Sequence, residues 1–285
     1  MTHPHLDSIN PQKSAPIGIF DSGVGGLSVY RHLAELMPKE RYIYYADTQN
    51  LPYGNKSGDE ILCLTLQAVD WLCRQGCKLI VIACNSASAY SLTTLRTRCR
   101  IPIVGLVPAV KPACEMSQTR QIALLATQAT LQGSLLAQVI HEVATSKGVT
   151  VHKHFEPMLV PWVESGMPIN HHVADLLIKQ TQAWYQQGVD ILVLGCTHYP
   201  FFRQFLQDWI DEQHIAMTLL DSGAAIAQRV KSLLGCFGIS ADGDVLDEPL
   251  TFYASDLTDN VPATARRLSQ VPISFVDGDF LPINV

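Results

Sequence analysis

The sequence predicts an α/β protein of two pseudo-symmetric three-layer α/β lobes, each built on a mostly parallel sheet, with the working site in the cleft between them. Three observations carry this prediction. At 285 residues the chain exceeds the size at which a single hydrophobic core keeps growing, which favours two compact lobes. Short apolar runs alternate with longer amphipathic stretches, the pattern of βαβ units around a parallel sheet. Finally, one strand-and-turn segment occurs twice.

The elements follow in chain order. Residues 1–15 are polar and proline-bearing, lack the basic start and apolar stretch of a secretory signal, and read as a flexible tail. Strands are expected at 17–20, 42–45, 79–83, 103–106, 122–125 and 191–194, where Val, Ile, Leu and aromatic residues form short runs bounded by turn residues. Helical periodicity occupies 59–74 and 172–187 between them. Without a gap, Gly76-Cys-Lys-Leu-Ile-Val-Ile-Ala-Cys84-Asn lies over Gly188-Val-Asp-Ile-Leu-Val-Leu-Gly-Cys196-Thr, at a constant offset of 112 residues. Each copy is a glycine helix stop, a buried strand, a small residue and a cysteine where the strand ends. Buried strands resemble one another because Val, Ile and Leu dominate them. That resemblance does not explain a cysteine at the same terminal position in both copies, where parallel sheets carry their working groups. A weaker echo pairs 17–22 with 122–127, each an apolar strand ending in a hydroxyl residue.

Composition narrows the function classes. Hydrophobic residues are 47% and charged residues 16% of the chain, well away from disordered compositions. A net charge of −6, with basic residues scattered rather than clustered, argues against nucleic acid as a partner. No apolar run approaches membrane-spanning length, so no membrane is expected and the cytoplasm is the expected compartment. The eight cysteines form no compact framework and no C-x-x-C pair, so reduced thiols are expected and no metal site.

Two thiols at equivalent strand ends, on lobes set face to face, would enter one cleft from opposite sides. This suits inversion at a carbon acid, in which one group removes a proton from one face while another supplies a proton to the other. Cysteine suits both roles, because its pKa near 8.5 leaves some thiolate at neutral pH and a helix N-terminus or cationic neighbour raises that share. Asn85-Ser86 and Thr197-His198 follow the two cysteines and offer backbone N–H groups and cap-type side chains to a carboxylate. Asp21, ending the first strand, and His198 are candidates to trade protons with the thiols, although each also fits a bland role as turn aspartate or packed histidine. No lysine stands at a strand end for a pyridoxal Schiff base, so no cofactor is expected. Glycines 23, 25 and 26 lack G-x-G-x-x-G spacing; a tight turn that lets backbone approach a small ligand accounts for them better than a phosphate cradle.

Across about residues 16–270 the chain resembles the bacterial glutamate racemases. The resemblance rests on Gly18-Ile-Phe-Asp21-Ser22-Gly-Val-Gly-Gly26, Tyr45-Ala-Asp47 with Leu51-Pro-Tyr53-Gly54, Ala83-Cys84-Asn85-Ser86-Ala87-Ser88, Leu159-Val-Pro-Trp-Val-Glu164 and Gly195-Cys196-Thr197-His198-Tyr199-Pro200. It implies a cofactor-independent isomerase in which Cys84 takes the α-proton of D-glutamate and Cys196 that of L-glutamate. Asp21 would assist Cys84, and His198 and Glu164 would assist Cys196. Substrate would be held by Asp21, Ser22, Tyr53, Gly54, Asn85, Ser86, Thr197 and His198, and D-glutamate would feed peptidoglycan synthesis. The resemblance also implies a first lobe of residues 16–111 with 222–285 and a second of 112–221, a homodimer, and activation by UDP-N-acetylmuramoyl-L-alanine as in some members. Three positions depart from the family's habit: Ser86 replaces threonine, Glu156 replaces cysteine before Pro157, and Trp162 is bulkier than usual. Competing readings are a racemase of aspartate or another acidic amino acid, separated by turnover, and a non-catalytic binding protein for acidic amino acids, disfavoured by the paired thiols.

Overall fold

A computed structural model describes residues 13–258, 260–269 and 273–277. The tail expected at 1–15 therefore lies outside the described residues up to residue 12. The elements are β1 (Ile17–Asp21), α1 (Leu27–Leu36), β2 (Tyr42–Ala46), α2 (Gly58–Arg74), β3 (Leu79–Ile82), α3 (Asn85–Arg98), β4 (Ile103–Gly105) and α4 (Val110–Met116). There follow β5 (Gln121–Ala126), α5 (Gln128–Gln132), α6 (Ser134–Val139), β6 (Thr150–His154), α7 (Leu159–Glu164), α8 (His172–Gln186), β7 (Ile191–Gly195) and α9 (Arg203–Glu212). The chain then forms β8 (Thr218–Leu220), α10 (Gly223–Phe237), β9 (Leu250–Ala254), α11 (Asn260–Ser269) and β10 (Ser274–Asp277).

Two sheets result, ordered β10-β9-β2-β1-β3-β4 and β6-β5-β7-β8, and every described strand pairing is parallel. The repeat is visible in this topology. β2-β1-β3-β4 and β6-β5-β7-β8 have the same order, with β3 and β7 as the corresponding third strands. Helices cover both faces, so the central strands IGIFD, LIVI and ILVLG are buried along their whole length and need no polar alternation. β9 and β10 extend the first sheet alone, and α10 and α11 return to pack on α1.

Local chemistry sets the element ends. α2 opens with a capping box, in which the Ser57 hydroxyl accepts the Glu60 amide and the Glu60 carboxylate accepts the Ser57 amide at 3.0 Å. It buries Ile61, Thr65, Ala68, Val69 and Leu72, one stripe at helical spacing. After α2 and α8 the chain turns at Gly76 and Gly188, with φ of +76° and +83°, a region open to glycine at little cost. These two turns deliver β3 and β7 into their sheets in the same way. Among the described residues no helix is long and apolar enough to cross a membrane.

Candidate active site

The carboxyl ends of the two sheets face each other across a cavity of about 260 Å³. Ser22, Cys84, Asn85 and Ser86 line it from the first sheet's strand ends, and Thr127, Cys196, Thr197 and His198 from the second's. Tyr53 and Gly54 close one side and Glu156, Val160 and Glu164 another. The β3–α3 and β7 ends thus bring both repeat cysteines into one enclosure, each nearly buried at 6% and 7% exposure.

The two thiols have different surroundings. Cys84 is the N-cap of α3, and its sulfur accepts the Ala87 amide at 3.4 Å and lies 3.7 Å from the Ser22 hydroxyl. Burial, then the Asp21 carboxylate, pushes the Cys84 thiol up to about 12, against the pull of the helix amide and Ser22. The Cys196 sulfur instead lies 3.9 Å from His198 Nδ1, and His198 Nε2 lies 3.0 Å from Glu164 Oε1. Burial drives the His198 pKa down, but the hydrogen bonds to Cys196 and Glu164 outweigh it and raise it to about 10. At neutral pH an imidazolium therefore stands beside Cys196, and among the described residues no cationic side chain takes the same place beside Cys84.

Asp21 sits behind the cavity, fully buried, rather than in its lining. Its carboxylate accepts the Gly23 amide at 2.7 Å and the Thr197 hydroxyl at 3.1 Å, so it bonds to the residue that follows Cys196 while raising the pKa of Cys84. Burial lifts its pKa to about 6, with His198, Gly23 and Thr197 restraining the rise. Tyr53 lines the cavity with its ring, but its hydroxyl donates to Asp47 at 2.6 Å. Asp47 also accepts from Asn50 and Ser255, which braces the loop that carries Tyr53 and Gly54.

Close approach of the lobes, not of a ligand, explains one glycine. A Cβ on Gly25 would collide with the His198 ring and the Thr197 hydroxyl. The Ser28 hydroxyl also donates to the Thr197 carbonyl at 2.8 Å, and the Ser86 and Thr127 hydroxyls lie 2.9 Å apart across the cleft. Sequence reasoning missed Thr127 as a cavity residue, although its alignment with Ser22 in the weaker echo pointed to it. Glu156 lines the cavity too, but one of its oxygens accepts the Met158 amide at the start of α7. The bulky Trp162 is turned away, buried against Phe202 and Phe205.

Residues 17–230 match the family model for Asp/Glu/hydantoin racemases. The chain is 43% identical to a glutamate racemase of Deinococcus radiodurans over 90% of this chain and 86% of that protein. It superposes on the Bacillus anthracis glutamate racemase isoform RacE1 with a TM-score of 0.82 at 27% identity, covering 94% of this chain and 99% of that one. The Escherichia coli glutamate racemase, solved with L-glutamate and the activator UDP-MurNAc-Ala, gives a TM-score of 0.77 at 30% identity over 92% and 97% of the two chains. The chain accordingly belongs to the Asp/Glu/hydantoin racemase family, with glutamate racemases among its relatives, and is an isomerase of the racemase class.

Proposed function

We propose that the chain is a cofactor-independent glutamate racemase that uses Cys84 and Cys196 as its two bases. The observation that carries this reading is the pair of thiols at equivalent strand ends, lining one small cavity from opposite lobes. In this account the lobes are residues 16–111 with 222–285, and 112–221.

With L-glutamate bound, the Cys196 thiolate removes the α-proton and becomes a thiol, while the Cys84 thiol gives its proton to the opposite face and becomes a thiolate. D-glutamate leaves, and both sulfurs return to their starting states by proton exchange; the D-to-L direction runs the same steps in reverse. The His198 imidazolium, held by Glu164, favours the thiolate at Cys196. At Cys84 that service falls to the α3 N-terminal amides and to the substrate's own ammonium, with Asp21 as proton exchange partner. Asn85, Ser86, Ser22 and the Gly54 and Thr197 backbone amides offer donors to the two carboxylates, and Tyr53 shapes the wall. The carbanion formed is stabilised by these fixed donors in a cavity with little room for water, below the roughly 300 Å³ at which larger ligand pockets begin.

We place this activity in the cytoplasm, supplying D-glutamate to peptidoglycan synthesis. We also propose that it responds to a UDP-linked muramoyl precursor. What supports the latter is a cavity of about 680 Å³ that shares no lining residue with the thiol cavity and is lined by Arg96, Arg98, Arg100 and Arg229, which suits a diphosphate. The test is turnover of L- and D-glutamate and of both aspartates, without pyridoxal phosphate, with and without that precursor. Glutamate inverted faster than aspartate supports the assignment. Inversion of aspartate alone moves the chain to the aspartate branch.

A further inference from the structure

We infer that Arg267 is a positioning residue for the Cys196 side of the site, holding Glu164 in place from the opposite lobe. This rests on the two-thiol glutamate racemase reading above.

Arg267 lies in the last turn of α11, which packs on α1 in the first lobe. Its Nη2 crosses to the second lobe and donates to the carbonyls of Glu164 at 2.8 Å and Val163 at 3.3 Å, the final residues of α7. Carbonyls at a helix C-terminus lack intrahelical partners and carry the negative end of the helix dipole, so a guanidinium is a well-matched cap. The chain beyond α7 makes room for it. Gly166 has φ +102°, and a Cβ there would come within 2.8 Å of Arg267 Nη1. Arg267 therefore grips the backbone of the residue whose carboxylate meets His198 Nε2 at 3.0 Å, and His198 in turn faces the Cys196 sulfur. Among the described residues no corresponding clasp touches the Cys84 side, where the partners of the sulfur are Ser22 and the α3 amide.

Glu164 and Leu51 line both the reaction cavity and a second, outer cavity of about 720 Å³ that Arg267 also lines. The clasp thus sits where the wall between the two spaces is made. Releasing it frees the α7 terminus and lets the Glu164 carboxylate leave the imidazole for solvent.

The experiment is Arg267→Ala, with Arg267→Met, which keeps the apolar stem, as the second variant should the first fail to fold. Two readouts separate positioning from general loosening. The first is the pH titration of the His198 ring in ligand-free protein, followed by NMR and assigned by the signals lost in His198→Gln. Loss of the held carboxylate lowers the His198 pKa by about one unit; an unchanged titration overturns the proposal. The second is turnover of α-deuterated substrates. Racemisation slows about ten- to a hundredfold, the isotope effect rises with L-glutamate, whose labelled bond breaks at Cys196, and shrinks with D-glutamate, whose labelled bond breaks at Cys84. A slower enzyme with both isotope effects unchanged overturns the proposal. If wild-type protein turns over no glutamate, the substrate assignment fails, while the His198 titration still decides whether Arg267 holds Glu164.

Discussion

The ends of β3 and β7 share a sequence pattern, a sheet position and a cavity, yet the two cysteines they carry are served by different physics. Cys84 caps a helix of 14 residues and takes its stabilisation from a backbone amide and a hydroxyl. Cys196 is followed by a short 3-10 turn (Tyr199–Phe202), and its sulfur faces the buried His198 ring with the Glu164 carboxylate behind it. Topological symmetry therefore fixes where the thiols stand, while the groups gathered around each strand end decide what each sulfur faces. Burial and the Asp21 carboxylate hold the Cys84 thiol high, at about 12, which in the proposed mechanism suits it to deliver a proton. In the proposed mechanism the His198 imidazolium beside Cys196 suits that side to proton abstraction.

The largest effect should come from breaking either end outright. Cys84→Ser and Cys196→Ser should each lower racemisation by about 10⁴-fold, because one face then has no effective acid or base; either variant retaining more than a tenth of wild-type activity would remove its cysteine from the mechanism.

His198→Gln comes next. It should cost about 10²- to 10³-fold and change the pH profile in a defined way. With Asp21 titrating at about 6 and His198 at about 10, kcat/KM in the wild type should rise through the first value and fall through the second. The substitution should remove the part of the alkaline limb that belongs to His198, so that only the fall set by the substrate's own ammonium remains, and leave the acid limb, as read from initial rates between pH 5 and 11.

Asp21→Asn should cost about a hundredfold in rate and yet stabilise the fold. A carboxyl whose folded pKa lies above its unfolded value of 3.8 favours folding only when protonated, so its relative contribution is lost as pH rises from 3.8 through about 6. At neutral pH the neutral amide should therefore gain up to about 3 kcal/mol, and no gain should appear below pH 3.8. Thermal unfolding at both pH values reads this; equal midpoints at neutral pH would contradict the buried-charge assignment.

The smallest change sharpens the comparison across the cleft. Thr127→Val removes the 2.9 Å contact with Ser86 and should raise KM severalfold, about 1 kcal/mol, with kcat little altered. A fall in kcat with KM unchanged would instead place Thr127 among the groups that act in the transition state.

Much of this arrangement was legible in the sequence because the repeat is carried by strongly buried central strands. β1, β3 and β7 are apolar at almost every position, and glycine marks their approach at 76 and 188. What escaped was set by edges and by distance. β6, with the pattern TVHKH, is a half-exposed edge strand, and β8 has three residues, so neither shows a long apolar run. The glycine pattern around Gly25 suggests room for a ligand, whereas the space is filled by His198 from the other lobe, a contact between residues 173 positions apart. The grip of Arg267 on α7 joins residues 103 positions apart and has no local signature.

The measurement that tests the central claim most directly is α-proton exchange in heavy water. Purified protein free of pyridoxal phosphate is given L-glutamate and, separately, D-glutamate, and early time points are resolved by enantiomer and by NMR. Two opposed thiols predict solvent deuterium in the inverted product from the first turnover, while the remaining substrate keeps its protium, in both directions. Product that retains the substrate's own proton, or label entering substrate and product together at equal rates, would mean that a single base serves both faces and would contradict the account.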